Sequence, residues 1–440
     1  MSRPTTGLCY GTCAVEADLF ARLRVRAHET GRVIERDGLV VLGFATAAEL
    51  RLPGGLADPS NLEHALADLA LIPPAGTERG FGRAAGRDDP QPVPLALGAL
   101  PFDRRADGVL VVPELTIVSR AGREDLATVV GPPARVGELI GQLSTGTFEA
   151  ATLEAATPEN RHAPPDEFRL ASARPHHDFL NRVGAALAEI ASGRLDKVVL
   201  AREVTVHANR PFRQSDLVGR LRALHPSCTT FAIDGFIGAS PELLIRRSGE
   251  RIASQPLAGT AARSGDPDSD RRAEAALLAS AKERAEHRVV VDTIAAGLAP
   301  LVEHLEVPDE PVIFELRNVS HLGTSMTGTL SEREGGYPSC LDLVGLLHPT
   351  PAVAGTPVDL ALDYLAKLEE IDRDRYAGPV GWVDARGDGE WHLGIRSAIV
   401  SGSSARLFAG VGIVADSDPA AELAETQLKL QAFLAAAVRP

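Results

Sequence analysis

The segment at residues 196–206 constrains the fold more than any other part of this sequence. It reads DKVVLAREVTV and is rich in β-branched residues, which pack well on a pleated sheet and therefore predict a long strand. Because successive side chains of a strand point to opposite faces, Lys197 and Val199 share one face while Val198 and Leu200 share the other. The rest of the chain is therefore expected to supply the partner strands of a sheet.

Similar strand patterns recur along the chain, separated by turns and helical segments. Strands are predicted at residues 38–44, 108–112, 229–237, 251–255, 378–384, 391–400 and 406–414, with turn residues at Gly387-Asp-Gly389. Helices are predicted at 178–193, with Asp178 as the N-cap and Gly193 at the end, at 270–298 and at 419–438. Runs of strands with helices grouped between them predict an α+β fold, with large antiparallel sheets in a β-sandwich-like core and helices packed outside.

Two polar segments divide the chain. Residues 76–94 (GTERGFGRAAGRDDPQPVP) lack an apolar period and predict a flexible insert, and residues 157–167 (TPENRHAPPDE) form a second break. We therefore expect an N-terminal part of the scaffold at residues 1–170 and a catalytic region at residues 171–440, either as two parts or as one continuous domain. The residue clusters that suggest chemistry lie in the second region.

Charge and composition exclude several classes of function. Lys and Arg total 45 and Asp and Glu total 59, so the net charge of −14 argues against a nucleic-acid-binding protein. An anionic substrate would need local cations within a pocket. The four cysteines are too few for a disulfide framework, and no apolar run reaches membrane-spanning length, so we expect a cytoplasmic protein with no membrane partner. The sequence contains no glycine-rich motif of the dinucleotide-binding or ATP-binding type.

Acidic residues recur on two of the predicted helices. Glu422, Glu425 and Lys429 have i, i+3 and i+7 spacing and share one helix face, and Lys282 and Glu286 lie one turn apart on an earlier helix. From spacing alone, exposed faces with surface salt bridges explain both patterns. If the glutamates of the two helices instead converge, they need a cation such as Mg²⁺, which binds one or two carboxylates together with substrate oxygens.

A series of short motifs connects these residues to a known family. The motifs are LDKVVLAR (195–202), SPELL (240–244), QPLAGT (255–260), HPTPAVAG (348–355), RYAGPVGW (375–382), GIR (394–396), FAGVGIV (408–414) and ExxET (422–426). In this order, over residues 175–434, they closely resemble the chorismate-utilising enzymes, and among these the isochorismate synthases. The resemblance implies the fold of that family, chorismate as the substrate and Mg²⁺ as the cofactor.

The resemblance also implies a role for each site residue. Lys197 matches the general base that activates water for attack on C2 of chorismate, and Glu242 matches the general acid that protonates the departing C4 hydroxyl. Glu286 and Glu425 match Mg²⁺ ligands, with Glu422 beside them. The matching substrate-binding positions are Gly259, Thr260, His321, Ala352, Arg396, the backbone amide of Gly410, and Lys429. For His321, a structural histidine is an equally good interpretation.

The chemistry explains why these residue types are required. Water is a poor nucleophile and hydroxide a poor leaving group, so their exchange needs both a base and an acid. A lysine with the reference pKa of about 10.4 is neutral in only about one molecule in a thousand at pH 7, so a lysine base must be desolvated or lie near another cation. A glutamic acid that donates a proton needs its pKa raised.

Three positions discriminate among the branches of the family. Anthranilate synthases resemble this chain but have glutamine at Lys197, and aminodeoxychorismate synthases commonly have a lysine nucleophile at Ala258. Salicylate synthases share Lys197 and Glu242 but tend to have threonine at Ala352. We therefore expect Mg²⁺-dependent isomerisation of chorismate to isochorismate by a monomer without a glutamine amidotransferase subunit. A salicylate synthase and an inactive metabolite-binding relative are the alternatives, and the pathway that uses the product (menaquinone, a catecholate siderophore or salicylate) stays open.

Overall fold

Two large antiparallel sheets and one small sheet form the framework of the protein. The computed structural model describes residues 5–75, 93–149, 163–333 and 336–438. The insert predicted at 76–94 therefore lies almost entirely outside the described residues. Within those ranges, 24 strands and ten α-helices follow one another along the chain.

The strands are β1 (Cys9–Ala14), β2 (Arg32–Arg36), β3 (Leu39–Phe44), β4 (Ala48–Leu52), β5 (Leu95–Ala99), β6 (Gly108–Val112), β7 (Leu115–Arg120), β8 (Leu126–Gly131), β9 (Phe168–Ser172), β10 (Lys197–Ala208), β11 (Thr229–Ile233), β12 (Phe236–Ser240), β13 (Leu243–Ser248), β14 (Arg251–Gln255), β15 (Leu257–Ala262), β16 (Val302–Glu306), β17 (Val312–Glu315), β18 (Val319–Gly323), β19 (Met326–Leu330), β20 (Gly355–Thr356), β21 (Pro379–Asp384), β22 (Gly389–Leu393), β23 (Ser397–Ser401) and β24 (Ser404–Ile413). The helices are α1 (Ala17–Thr30), α2 (Pro59–Ala70), α3 (Pro133–Ser144), α4 (His176–Ala191), α5 (Gln214–Leu224), α6 (Pro267–Ala279), α7 (Ala281–Leu298), α8 (Cys340–Leu347), α9 (Val358–Leu368) and α10 (Pro419–Ala437).

Both large sheets combine strands from the two sides of residue 170. The first sheet has the order β1-β8-β7-β3-β2-β11-β12-β23-β24-β10-β20, and β9 also pairs with β10. The second sheet has the order β16-β19-β14-β13-β22-β21-β5-β6-β4, and the third contains β15, β18 and β17. Neighbouring strands run antiparallel, which confirms the predicted α+β class. The division of the chain at residue 170 stays a prediction.

The two large sheets pack face to face through an apolar cluster. In this cluster, Ile34, Val41 and Phe236 of the first sheet pack with Leu97 and Trp382 of the second. Helices α1, α3, α5 and α10 contribute apolar residues to a second cluster with strands of the first sheet. This is the predicted β-sandwich-like arrangement with helices outside. Over the described ranges, no helix combines the length and the hydropathy needed to cross a bilayer.

One predicted helix is two helices. The prediction of a single helix over 270–298 is wrong, because α6 ends before Ser280 and α7 begins after it. The Ser280 side chain accepts a hydrogen bond from the Glu283 N–H and caps α7. The expected N-cap of α4 is also wrong, since Pro175 is at the N-cap position and Asp178 lies in the first turn.

Two predicted strands are interrupted. Residues 229–237 fold as the hairpin of β11 and β12, whose turn contains Asp234 and Gly235 with φ of 48° and 80°. Residues 391–400 are split into β22 and β23, and Arg396 in the break has φ of 53°, a left-handed conformation that residues other than glycine rarely adopt. A predicted site residue therefore lies at a strained position where the chain passes from the second sheet to the first.

Candidate active site

One pocket brings together all twelve residues predicted for the site. They are Lys197, Glu242, Gly259, Thr260, Glu286, His321, Ala352, Arg396, Gly410, Glu422, Glu425 and Lys429. They come from β10 and β24 of the first sheet, from β15 and β18 of the third, from helices α7 and α10, and from three connections between elements. The helix patterns that spacing alone would assign to the surface therefore face a common pocket.

Lys197 begins β10 and is buried, with only 5% of its surface exposed. Its Nζ donates a hydrogen bond to Glu286 Oε1 of α7 over 2.6 Å. The room for this side chain comes from Gly412 on the neighbouring strand β24. A Cβ atom on Gly412 would lie 2.5 Å from Lys197 Cε and 3.1 Å from Nζ, so any larger residue here would force the end of the lysine side chain to move.

Glu242 lies in the connection between β12 and β13 and is also 5% exposed. Its own N–H donates to Ser240 Oγ and its carbonyl accepts from the Leu393 N–H, so the backbone on both sides is held. Burial raises the pKa of Glu242 to about 7, although the Leu257 amide and nearby cations oppose the rise. The carboxyl group can therefore keep its proton near neutral pH.

Four glutamates from α7 and α10 line one side of the pocket: Glu283, Glu286, Glu422 and Glu425. Burial raises the pKa of both Glu283 and Glu422, and repulsion from a neighbouring glutamate raises each further. Glu425 behaves differently: burial acts to raise its pKa, but Lys429 Nζ at 2.7 Å and the Thr260 hydroxyl at 3.1 Å lower it overall. The cluster is thus a group of crowded carboxylates that three lysines, Lys197, Lys282 and Lys429, only partly neutralise.

Arg396 and Lys429 give one side of the pocket its positive charge, and His321 lies beside Arg396. The Nδ1 atom of His321 lies 2.7 Å from the Gly259 carbonyl oxygen and donates to it, so Nε2 is free to accept a hydrogen bond from Arg396 at 3.1 Å. Burial and the nearby cations lower the pKa of His321 to about 3, which agrees with this neutral tautomer. His321 therefore orients Arg396. Lys429 adds a second cation and donates to the Gly410 carbonyl oxygen over 3.0 Å.

Several pocket residues were missed by the sequence reasoning. Glu283 precedes Glu286 by three residues on the same helix, a spacing that would have identified it. Gly412 and Tyr376 lie inside motifs already noted, but no local pattern indicates that their positions face the pocket. Arg373 also lines the pocket, and in the sequence it is one of several charged residues after α9.

The fold, the acid and base candidates and the cationic wall define a class of protein that binds a small anionic substrate in an α+β sandwich. A family model described as chorismate binding enzyme matches residues 85–438. The match covers more than half of the sequence, and the chain therefore belongs to the chorismate-binding enzyme family.

Particular members of that family are similar over most of their length. Isochorismate synthase DhbC of Bacillus subtilis (strain 168) is 35% identical over 401 residues, covering 87% of this chain and 92% of the relative. Isochorismate synthase EntC of Escherichia coli (strain K12) is 36% identical over 346 residues, covering 78% and 80%. Among solved structures, the putative 2,3-dihydroxybenzoate-specific isochorismate synthase DhbC from Bacillus anthracis is 31% identical, with a TM-score of 0.75 and coverage of 93% and 96%.

Proposed function

We propose that the protein converts chorismate to isochorismate by adding water at C2 and removing the hydroxyl group at C4. The observation that carries this proposal is that one pocket contains both a buried lysine, Lys197, and a buried carboxyl group, Glu242, whose pKa of about 7 lets it hold a proton near neutrality. The names of the similar proteins support the same reaction.

In the proposed reaction, Lys197 removes a proton from the attacking water. The water oxygen bonds to C2, the two ring double bonds shift, and the C4–O bond breaks. General base catalysis of this kind contributes about 10²–10⁴ in rate. The hydrogen bond from Nζ to Glu286 keeps the amine within the pocket.

Glu242 supplies the proton that the leaving group needs. Hydroxide is a poor leaving group, and protonation lets the C4 oxygen depart as water. Lys197 thus gains one proton and Glu242 loses one, so the substrate and product are isomers and the enzyme resets by exchange of protons with solvent. Burial favours the protonated form of Glu242 before the reaction.

The cationic side of the pocket would bind the enolpyruvyl carboxylate. Arg396 and the backbone amide of Gly410 are the proposed donors, and Lys429 adds positive charge beside them. His321 acts on the substrate through Arg396, since its neutral ring accepts one of the guanidinium hydrogens. Ala352, Gly259 and Thr260 contribute small side chains or backbone that leave space for the ring.

The carboxylate side fits a hard divalent cation such as Mg²⁺. Within the described residues, no three acidic, histidine or cysteine side chains form a complete metal cage, but Mg²⁺ is commonly held by one or two carboxylates plus oxygens of the substrate. Glu286 and Glu425 would be these ligands, with Glu422 beside them. Burial and, to a smaller extent, repulsion from Glu425 raise the pKa of Glu422, and a bound cation would relieve that repulsion. When bound, the ion supplies positive charge for the ring carboxylate of chorismate.

Product analysis tests the proposal directly. The purified protein is incubated with chorismate and Mg²⁺, with and without a chelator, and the products are separated by chromatography. We expect isochorismate with Mg²⁺ and a loss of turnover with excess chelator. No conversion of chorismate, or salicylate as the main product, would overturn the assigned reaction, and undiminished turnover in chelator would overturn the metal requirement.

We also propose that the protein acts in the cytoplasm and needs no glutamine amidotransferase subunit. Its four cysteines are free thiols, as is usual in a reducing compartment. Water, for which Lys197 is the proposed base, is available without a subunit that delivers ammonia. Gel filtration of the active protein tests whether a second subunit is needed. We expect the activity in a peak that contains only this chain.

A further inference from the structure

The strand that carries Lys197 has an unusual gap in its pairing. One edge of β10 pairs with β24 from Val198 to His207. The other edge pairs with β20 at Lys197 and Val198, and then with β9 from Val204 onward. In the described part of the chain, no strand pairs with residues 199–203 on that edge. Within this stretch the Val199 N–H donates to the Ala354 carbonyl oxygen, and the Glu203 carbonyl oxygen accepts from the Ala173 N–H. The Val199 carbonyl and the Ala201 N–H between them have side chains as their hydrogen-bond partners instead.

An ion pair from the end of α9 fills this gap. Glu369 Oε1 accepts the Ala201 N–H over 2.6 Å, and Arg373 NH2 donates to the Val199 carbonyl oxygen over 2.7 Å. The two side chains also bind each other bidentately, at 2.6 Å for each contact, and both are about 95% buried. A carboxylate and a guanidinium thus satisfy the same two groups that a neighbouring strand would satisfy.

Arg373 connects this strand to a second wall of the pocket. Its NH1 donates to the Val353 carbonyl oxygen over 2.8 Å, next to Ala352 in the HPTPAVAG segment. The guanidinium therefore ties together the backbone two residues after Lys197 and the backbone one residue after Ala352. Lys197 and Ala352 both line the pocket.

The hydrogens of Arg373 are already committed to the protein. A guanidinium has five N–H groups, and the contacts with Glu369, Val199 and Val353 amount to four hydrogen bonds. Arg373 faces the pocket but has little capacity left for a substrate carboxylate. Its influence on the reaction must then run through the backbone that it holds.

We propose that Glu369 and Arg373 are a positioning pair that sets the place of the Lys197 amine relative to the substrate ring. This inference rests on the proposed function, in which Lys197 is the general base. A displacement of about 1 Å in a reacting group can cost about 10² in rate, and the pair holds the backbone close to that group. Lysine cannot replace Arg373 here, because a point charge cannot donate to Glu369, Val199 and Val353 in the planar geometry of the fork.

Arg373→Lys is the test, with Arg247→Lys as a matched control. Arg247 is also buried, at 7% exposure of its side chain, and also donates to two backbone carbonyl groups, but it lies in the second sheet away from the pocket. We expect Arg373→Lys to lower kcat by about 10- to 100-fold while KM for chorismate changes by less than about threefold. Arg247→Lys should keep the parental kcat even if its thermal stability falls.

A second variant and a second measurement cover the case in which Arg373→Lys does not fold. Glu369→Gln keeps an oxygen for the Ala201 N–H but weakens the interaction with Arg373. We expect this variant to lose less kcat than Arg373→Lys. Hydrogen–deuterium exchange should be faster in the β10 peptide of both Arg373→Lys and Glu369→Gln and unchanged there in Arg247→Lys. A parental kcat in both Arg373→Lys and Glu369→Gln, or a loss of kcat in Arg247→Lys as large as in Arg373→Lys, would overturn the proposal. If the parent does not make isochorismate, the proposed function fails, and unchanged exchange in β10 then refutes the positioning role separately.

Discussion

In the folded protein, Glu242 keeps its proton up to a higher pH than it does in the unfolded chain. Burial raises its pKa from 4.5 to about 7. Between these two values the unfolded chain is ionised while the folded protein is protonated, so the free energy of unfolding decreases as the pH rises through this window. The residue proposed as the general acid therefore costs the protein stability at neutral and alkaline pH.

Glu242→Gln should separate these two effects. The amide has no proton to donate as an acid, and we expect kcat to fall by about 10²–10⁴. Because the amide is also never charged, the variant should be more stable than the parent at pH 8, by about 1–3 kcal/mol, from 1.36 kcal/mol per unit of pKa difference. Urea denaturation at pH 5 and pH 8 measures the difference in unfolding free energy between Glu242→Gln and the parent. This difference should be smaller at pH 5 than at pH 8. Equal differences at the two pH values would contradict the raised pKa.

Gly412→Ala should impair the reaction without damaging the fold. The new methyl group would lie 2.5 Å from Lys197 Cε and 3.0 Å from Glu286 Oε1, so the lysine has to move. We expect a loss of about 10- to 100-fold in kcat, measured by isochorismate formation at saturating chorismate. The control is Gly141→Ala in α3, where a Cβ atom meets nothing within 4 Å, and its kcat should equal that of the parent. A fully active Gly412→Ala variant would show that the position of Lys197 is not critical.

At the scale of elements, the predicted and observed structures differ where one side chain decides a boundary. The strand at β10 and the helix at α10 were predictable, because a period of two and a run of helix-forming residues extend over their whole lengths. The break between α6 and α7 coincides with one capping hydrogen bond to Ser280, and the break between β22 and β23 coincides with the left-handed Arg396. Neither interrupts the hydrophobic pattern, so periodicity could not reveal them.

The same limit applies to the site. The motifs identified Lys197, Glu242, Glu422 and Glu425 because each lies in a segment that resembles the family, whereas Glu283 lies outside them and was missed. Glu369 and Arg373 have no such signal, since their role arises from the end of α9 meeting an unpaired edge of β10. Contacts between elements that are distant in the chain are set by packing, which one sequence does not display.

Ser280→Ala should destabilise the helix that presents Glu283 and Glu286. The substitution removes the oxygen that accepts the Glu283 N–H over 3.2 Å, and loss of an N-cap costs about 0.5–2 kcal/mol. Ser280→Thr keeps the hydroxyl and is the control, with an expected loss smaller by about 1 kcal/mol. Urea denaturation of the two variants measures the difference. Equal unfolding free energies would indicate that the cap does not stabilise α7.

At the scale of the whole molecule, the parts before and after residue 170 are joined by both sheets and by an ion pair between the sheets whose carboxylate is buried. Arg36 of β2 lies in the first sheet and Glu390 of β22 in the second, 354 residues apart in sequence. They bind bidentately at 2.7 and 2.8 Å, and the Glu390 side chain is only 1% exposed. Burial acts to raise the pKa of Glu390, but the hydrogen bonds from Arg36 and His392 hold it well below its usual range.

Arg36→Ala should therefore reduce the stability of the whole chain rather than its chemistry. Removing one partner of a buried ion pair costs about 3–5 kcal/mol. We expect no more than about 3 kcal/mol, because Arg36 is 29% exposed and because His392 at 3.0 Å and Arg246 at 3.7 Å still lie beside Glu390. A carboxylate with a lowered folded pKa contributes stability above its unfolded pKa and loses it as the pH falls. The difference between the parent and Arg36→Ala should thus be largest at pH 7 and shrink below about pH 4.

Arg51→Ala provides the comparison, since Arg51 pairs with Glu49 on β4 at 55% exposure of the arginine side chain. Such a surface pair contributes only about 0–1 kcal/mol. Urea denaturation at pH 7 and at about pH 3 gives the unfolding free energies of both variants on the two sides of this window. The kcat is measured at a temperature where each variant is folded. Because Arg36 lies outside the pocket, folded Arg36→Ala should retain the parental kcat. If Arg36→Ala is no less stable than Arg51→Ala, the Arg36–Glu390 pair does not hold the two sheets together. Apolar packing between the sheets then accounts for their association.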